Sequence, residues 1–343
     1  MIEVIEACTE KGKVVTSHHS KENSAQTESE EYPIHHIKEV IRKPYVISED
    51  IHVLLQEWAE RKKFAIPSEE FFGQLRKNMK EHLCGIFGLC NVDMVSVEEL
   101  RNGLRELLKK VDLPIVSMDQ IYLPTNPALH ITRTTNETFT KDFRNQARFG
   151  FPQKEEQLAA IAAKYRDREI VLADDVLYSG NSLADIILDL KVLGVKIPTV
   201  VIGITIGKGA RNVNAITGAK ISTVRYYKQV EDEICERDFY PGVPLSGRSI
   251  TGFNVDVGAP YIHPFDLGPD GTEHMSDWAT IHPERQERFS IFCLEQAIML
   301  WEEIERLSQK NVLCRDLDRI PIGLHNHHHQ ELRLVDCLKK YKD

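Results

Sequence analysis

Between Ser48 and Val111 apolar positions return every three or four residues. Ile51, Leu54, Leu55 and Trp58 share one helical face, and Phe71, Phe72 and Leu75 open a second helix after Pro67 and Ser68. Leu100, Leu104 and Leu107 follow a Ser96–Glu99 capping box. From Pro114 the pattern changes. IVSMDQIYL and LHITRTT (Leu129–Thr135) read as strands, a polar and basic stretch runs from Asn136 to Gln153, and a helix is predicted to start near Lys154. Leu183, Ile186, Ile187 and Leu190 form a helical stripe closed by Gly194 as a C-cap. TVVIGITIG, from Thr199 to Gly207, is almost wholly apolar, the pattern of a strand covered on both faces, and KISTVRYY reads as a further strand. Beyond an irregular aromatic, Pro- and Gly-bearing segment (Cys235–Ile250), an amphipathic helix is predicted over Arg288–Leu307.

Strand–helix alternation from Pro114 to Tyr227 predicts an α/β fold. The expected architecture is a doubly wound, mostly parallel sheet with helical N- and C-terminal additions and a ligand at the carboxyl ends of the strands. The expected divisions are a flexible N-terminal arm or loosely attached strand (1–45), a helical layer (46–112), an α/β core (113–250) and a C-terminal helical extension (251–343). The helical layer either covers one side of the sheet or forms a dimer face, so a homo-oligomer is open at this stage.

Composition narrows the class. In 343 residues, 42% hydrophobic and 28% charged content suits a globular protein with a full core. A net charge of -9 argues against extended nucleic-acid binding, although a local basic patch for a phosphate ligand remains compatible with it. Seven scattered cysteines without a CxxC pair point to a reducing compartment, with Cys84 and Cys90 read as buried thiols rather than zinc ligands. No apolar run is long enough to span a bilayer and no leader pattern is present, so a cytoplasmic location is expected. The His18/His19 and His35/His36 pairs and the interrupted HNHHHQ run are read as solvated surface.

The chemistry concentrates in EIVLADDVLYSGNSL, Glu169–Leu183. An apolar run (Ile170, Val171, Leu172) leads to two carboxylates, Asp174 and Asp175, then to a small polar loop of Ser179, Gly180, Asn181 and Ser182 at a helix start. Backbone amides of such a loop and the unpaired donors of the first helical turn make a seat for a phosphate dianion. Carboxylates suit sugar hydroxyls and repel phosphate, so the two halves of the stretch suit opposite ends of one ligand. The plain alternative is an unrelated α/β phosphate site of the same order.

This stretch resembles the PRPP-binding motif of the type I phosphoribosyltransferases, where PRPP is 5-phosphoribosyl 1-pyrophosphate. Asp174 and Asp175 match the acidic pair, Val176 and Leu177 the apolar pair, Ser179 and Gly180 the phosphate loop, and Ser182 the closing hydroxyl. Tyr178 departs from the pattern, standing where the family carries Thr or, in some members, an Asp proposed as a base. The resemblance implies that the acidic pair holds the ribose hydroxyls and the loop, with Tyr178 and Asn181 within it, holds the 5-phosphate. It also implies a pyrophosphate-binding turn near Pro124, Thr125, Asn126 and Pro127. A mobile loop would lie just upstream of the motif, where Arg133, Lys141, Arg144 and Arg148 are available to pair with pyrophosphate oxygens. The base-accepting hood falls on Cys235–Ile250, where Tyr240 or Phe239 would stack on a planar base and Arg248 would hydrogen-bond it.

The implied function is transfer of ribose 5-phosphate from PRPP to a nucleobase-like nitrogenous acceptor, or the reverse pyrophosphorolysis, a pentosyltransferase activity. Its cofactor is Mg2+, held mainly through substrate oxygens with Asp174 and Asp175 as possible ligands. Asp174, Asp175 and Arg148 are the expected catalytic group. The alternative is a non-catalytic PRPP- or nucleotide-sensing regulator with the same pocket.

Overall fold

In the computed structural model the described residues are 35–40, 43–88, 91–136, 144–265 and 279–342. In chain order the elements are β1 (His35–Val40), β2 (Tyr45–Ser48), α1 (Ile51–Lys62), α2 (Glu69–Phe87), β3 (Val92–Val95), α3 (Val97–Leu108), β4 (Ile115–Ser117), β5 (Ile131–Thr135) and β6 (Arg144–Ala147). There follow α4 (Lys154–Tyr165), β7 (Glu169–Leu177), α5 (Asn181–Val192), β8 (Lys196–Ile206), α6 (Gly207–Thr217), β9 (Lys220–Tyr227), β10 (Asp232–Cys235), β11 (Arg248–Ile250), β12 (Val257–Ala259), α7 (Pro283–Ser308), β13 (Ile320–Pro321) and α8 (Leu334–Lys342).

The apolar runs build a parallel sheet in the order β1-β9-β8-β7-β4. Alternation along each strand sends residues to two separate cores. Ile170, Leu172, Val200, Ile202 and Ile221 pack with the apolar faces of α4, α5 and α6, while Val171, Ala173, Val201 and Val224 face α3 on the other side. The result is a mixed α/β structure whose parallel sheet is covered on both faces. β7 lies between β8 and β4; its ladder with β4 ends at Ala173, while that with β8 runs on to Leu177, so β8 alone fixes the carboxyl end of β7.

Two smaller sheets were not expected. β10, β2 and β3 form a parallel three-stranded sheet, and β13-β12-β11-β5-β6 form a mixed five-stranded one. The segment 46–112 is therefore more than a helical layer, because it also contributes β2 and β3. These strands are four residues long and pair across long sequence separations (Tyr45 with Asp232, Tyr45 with Val92), so no local period marks them. LHITRTT is a strand as read, but β5 belongs to the mixed sheet. It pairs antiparallel with β6, which turns part of the expected mobile loop into a hairpin. The C-terminal extension likewise supplies β12 and β13 besides its helices. Residues 35–40, placed in the arm, are the edge strand β1, while residues 1–34 lie outside the described residues.

Other expectations meet the structure directly. The Ser96 hydroxyl accepts the Glu99 amide at 3.2 Å, and α5 ends just before Gly194, whose φ of 87° is a left-handed one. Cys84, expected as a thiol, is half-buried near the end of α2 and disulfide-bonded, its partner lying outside the described residues. A disulfide does not fit the expected reducing compartment, so the cysteine pattern does not fix it. No described helix is long and apolar enough to cross a membrane.

Candidate active site

β7 delivers its last residues, Asp174–Leu177, to one end of the sheet, and Tyr178, Ser179 and Gly180 lead into α5. Gly180 is the N-cap, with φ of 80°. A Cβ there would stand 2.8 Å from both the Gly209 carbonyl oxygen and Val213 Cγ2. A Cβ on Gly209 would stand 2.3 Å from the Tyr178 carbonyl oxygen. Two glycines thus let the loop lie directly on the first turn of α6, a contact that no side chain permits.

That contact orients the loop. Asn212 Nδ2 donates to the Ser179 carbonyl at 2.9 Å and to Asn181 Oδ1 at 2.7 Å, and Asn145 Nδ2 donates to the Ser182 carbonyl at 3.0 Å. The carbonyls are occupied, but the amides are not. From Ser179 to Leu183 no backbone N–H has a protein acceptor among the described residues, and the first that does is Ala184, bonded to the Gly180 carbonyl at 2.9 Å. A row of such donors at a helix N-terminus is a site for a dianion.

The loop borders a cavity of about 330 Å³, whose other walls come from the mixed sheet and from β10. Asp174 and Asp175 line it. Asp174 Oδ1 accepts the Asp175 amide at 3.1 Å, and Asp175 Oδ1 accepts the Val176 amide at 2.8 Å. Burial, with Asp175 and Asp119 nearby, pushes the Asp174 carboxyl well above the usual range. Asp119 sits behind the pair, accepting the amides of Ile121 and Tyr122 at 2.8 Å and of Leu123 at 2.5 Å. Burial and the Asp175 charge raise it to about 6.

Arginines balance these acids unevenly. Arg237 pairs with buried Asp50, and Arg319 grips Asp256 through Nε at 3.0 and 3.1 Å. Arg148 and Arg133 have no carboxylate partner among the described residues. Burial and the charges of Arg237 and Arg319 lower the Arg148 guanidinium, whose Nε is buried without a hydrogen-bond partner. Arg133 is lowered first by Arg248, its neighbour on the adjacent strand, and then by burial. Guanidinium groups lining the cavity without a carboxylate partner favour an anionic ligand in it.

The structure therefore brings Asp174, Asp175, Tyr178, Ser179, Gly180, Ser182, Arg133, Arg148 and Arg248 to one cavity. Asn181 is at the rim, exposed and tied to Asn212. Arg144 is placed by the backbone pairing of β6 with Thr134, its side chain and all of Lys141 lying outside the described residues. Tyr240 and Phe239 are corrected. Both are fully buried, Phe239 edge-on to Phe289 at 5.1 Å, beside the Trp301 indole that donates to the Pro241 carbonyl. The Glu236–Phe239 helical turn sends its aromatics into the core under α7 and its charged Arg237 and Asp238 to the cavity, where Tyr261 lies beside Arg248, 5.7 Å from guanidinium carbon to ring centre. The expected pyrophosphate turn also differs. The amides leading into it, Ile121 to Leu123, are taken by Asp119, and the Thr125 hydroxyl bonds the Ser117 amide and Pro127 carbonyl.

Sequence reasoning missed Asp119, Asp232, Glu233, Arg237, Tyr261 and Arg319. The only signal was the acidic pair opening DEIC, a short β-prone run that is now β10. No family model matches the chain, and no curated protein matches it. Similar solved structures include UMP synthase of Leishmania donovani, with 12% identity over 38% of this chain and 27% of that one, TM-score 0.24. Two others are the Mycobacterium tuberculosis H37Rv orotate phosphoribosyltransferase in complex with inorganic phosphate (13%, 37% and 68%, TM-score 0.22) and the adenine phosphoribosyltransferase of Leishmania tarentolae (16%, 38% and 70%, TM-score 0.24). The second and third are phosphoribosyltransferases, and this chain spans about a quarter of the first. TM-scores this low carry no argument, so the functional reading rests on the site.

Proposed function

We propose that this chain is a Mg2+-dependent phosphoribosyltransferase of the type I, doubly wound kind, transferring ribose 5-phosphate from PRPP to a nitrogenous base or running the reverse reaction. The observation that carries the reading is the row of acceptorless amides from Ser179 to Leu183 sharing one cavity with Asp174 and Asp175. A 5-phosphate on the amides leaves the ribose diol facing the carboxylates, which fixes C1 toward the arginine-bearing wall. There Arg148 and Arg133 take the charge of the departing pyrophosphate, the requirement of a reaction whose sugar becomes cationic as the leaving group departs. Mg2+ fits the site because Asp174 and Asp175 are hard oxygen donors whose mutual repulsion a divalent cation relieves. When bound it would neutralise pyrophosphate oxygens, and no group of three protein ligands among the described residues cages it.

The second reading, a sensor that binds PRPP without turnover, is favoured by one feature. Asp119 fills the amides that precede the expected pyrophosphate turn, and none of Pro124, Thr125, Asn126 and Pro127 lines the cavity. Titration calorimetry with PRPP, with and without Mg2+, followed by pyrophosphate release over a panel of bases, separates the two. The enzyme binds PRPP more tightly with Mg2+ and releases pyrophosphate only when a base is added. A sensor binds and releases none, and absence of PRPP binding rejects both.

A further inference from the structure

The acceptor's proton has no receiver in the motif, because Tyr178 stands where some resembled sequences carry an acid. In this chain Tyr178 instead stands near Asp232, at the head of β10, whose carboxylate accepts the Thr280 hydroxyl at 2.6 Å and the Glu233 amide at 2.8 Å. Tyr178, Asp232 and the next residue, Glu233, line the same cavity. Glu233 has one side-chain hydrogen bond, a 3.3 Å contact from the Ser48 hydroxyl to Oε1, and its Oε2 makes none among the described residues. The other cavity carboxylates accept well-formed bonds from short donors: Asp174 and Asp175 each take a backbone amide through Oδ1, Asp232 takes the Glu233 amide and the Thr280 hydroxyl, and Asp238 takes the Gly247 amide at 2.8 Å.

Resting on the phosphoribosyl-transfer reading, we propose that Glu233 is the catalytic proton acceptor for a base that attacks through an N–H nitrogen. The nitrogen lone pair forms the bond to C1 as the C1–O bond breaks, its electron pair leaving with pyrophosphate. The proton on the attacking nitrogen passes to the Glu233 carboxylate. The acceptor class follows: a neutral heterocycle whose attacking nitrogen carries an ionisable N–H.

The groups facing Glu233 suit it to this role. Burial first, then Asp175 on β7, Asp232 on its own strand and Asp238 beyond it raise its proton affinity, while Ser48 on β2 and Arg133 on β5 stabilise its charge. Tyr45, Tyr178 and Cys235 complete the surroundings. A carboxylate so placed holds a proton once it has received one.

The test compares wild-type, Glu233→Gln and Glu233→Ala full-length protein in PRPP calorimetry and in pyrophosphate release with purine and pyrimidine bases across pH. The expected result is PRPP affinity within about threefold of wild type, kcat lower by roughly 100-fold or more in both variants, and loss of the acidic limb of the kcat profile. Turnover of Glu233→Gln within threefold of wild type, with that limb intact, overturns the proposal. So does wild-type PRPP binding without turnover of any base, an outcome that leaves the binding site standing. Failure of wild type to bind PRPP removes the function itself.

Discussion

Replacing Asp174 and Asp175 together with Asn is expected to weaken PRPP binding by roughly 10²–10⁴-fold while making the empty protein more stable. The affinity loss follows from two hydroxyl-to-carboxylate bonds, each worth about 1.5–3 kcal/mol when one partner is charged. The gain in stability follows from the electrostatics of the empty site. Asp174 is held well above its ordinary 3.8, and Asp119 is raised from 3.8 to about 6 by burial and by Asp175. A carboxyl raised on folding contributes stability that is complete below its unfolded value and lost as pH rises through its folded value. Wild type should therefore lose stability between about pH 4 and pH 6 and beyond, as Asp119 and then Asp174 ionise. The double variant keeps the burial that raises Asp119 but lacks the Asp175 charge and the Asp174 carboxyl, so its melting temperature should fall less over that interval. Scanning calorimetry from pH 4 to 8, paired with PRPP titrations, reads both effects. A variant that binds PRPP like wild type, or that melts lower at every pH, contradicts this assignment.

The second large effect is expected from Gly209→Ala. Alanine normally strengthens a helix over glycine, and at exposed Gly73 in α2, where a Cβ meets nothing within 4 Å, Gly73→Ala should stabilise by about 0.5–1 kcal/mol. At Gly209 the sign reverses. The new Cβ stands 2.3 Å from the Tyr178 carbonyl oxygen and 3.0 Å from that of Leu177, both backbone atoms that cannot swing aside. The phosphate loop must lift off α6, at a cost of about 1–3 kcal/mol. The lift pulls Ser179 away from Asn212 and should reduce ribose 5-phosphate affinity at least tenfold. Urea unfolding and calorimetry on the two variants check the contrast, and equal behaviour at both positions would show that the loop does not depend on that contact.

What was legible in the sequence lies mostly along β7 and α5. There strand, acids, loop and helix are contiguous, so local order encodes the site directly. KISTVRYY coincides with β9, and the start of α4 at Lys154 is as read, because long periodic or wholly apolar runs carry their own signal. The opposite wall was hidden. Glu233 reaches the cavity only because β10 pairs with β2, nearly two hundred residues earlier, and Arg133 meets Arg248 only through the β5–β11 pairing. Tyr240 was misplaced for a related reason: an aromatic in a Pro- and Gly-rich segment is equally suited to a base platform or a core, and α7 packing decided for the core.

The central claim is that the amides from Ser179 to Leu183 receive a sugar's terminal phosphate, and backbone amide NMR shifts during titration with ribose 5-phosphate test it most directly. The account predicts large, saturable downfield shifts at Ser179, Gly180, Asn181, Ser182 and Leu183 with ribose 5-phosphate, and none with ribose alone. Saturable binding that leaves these five amides unmoved would contradict it.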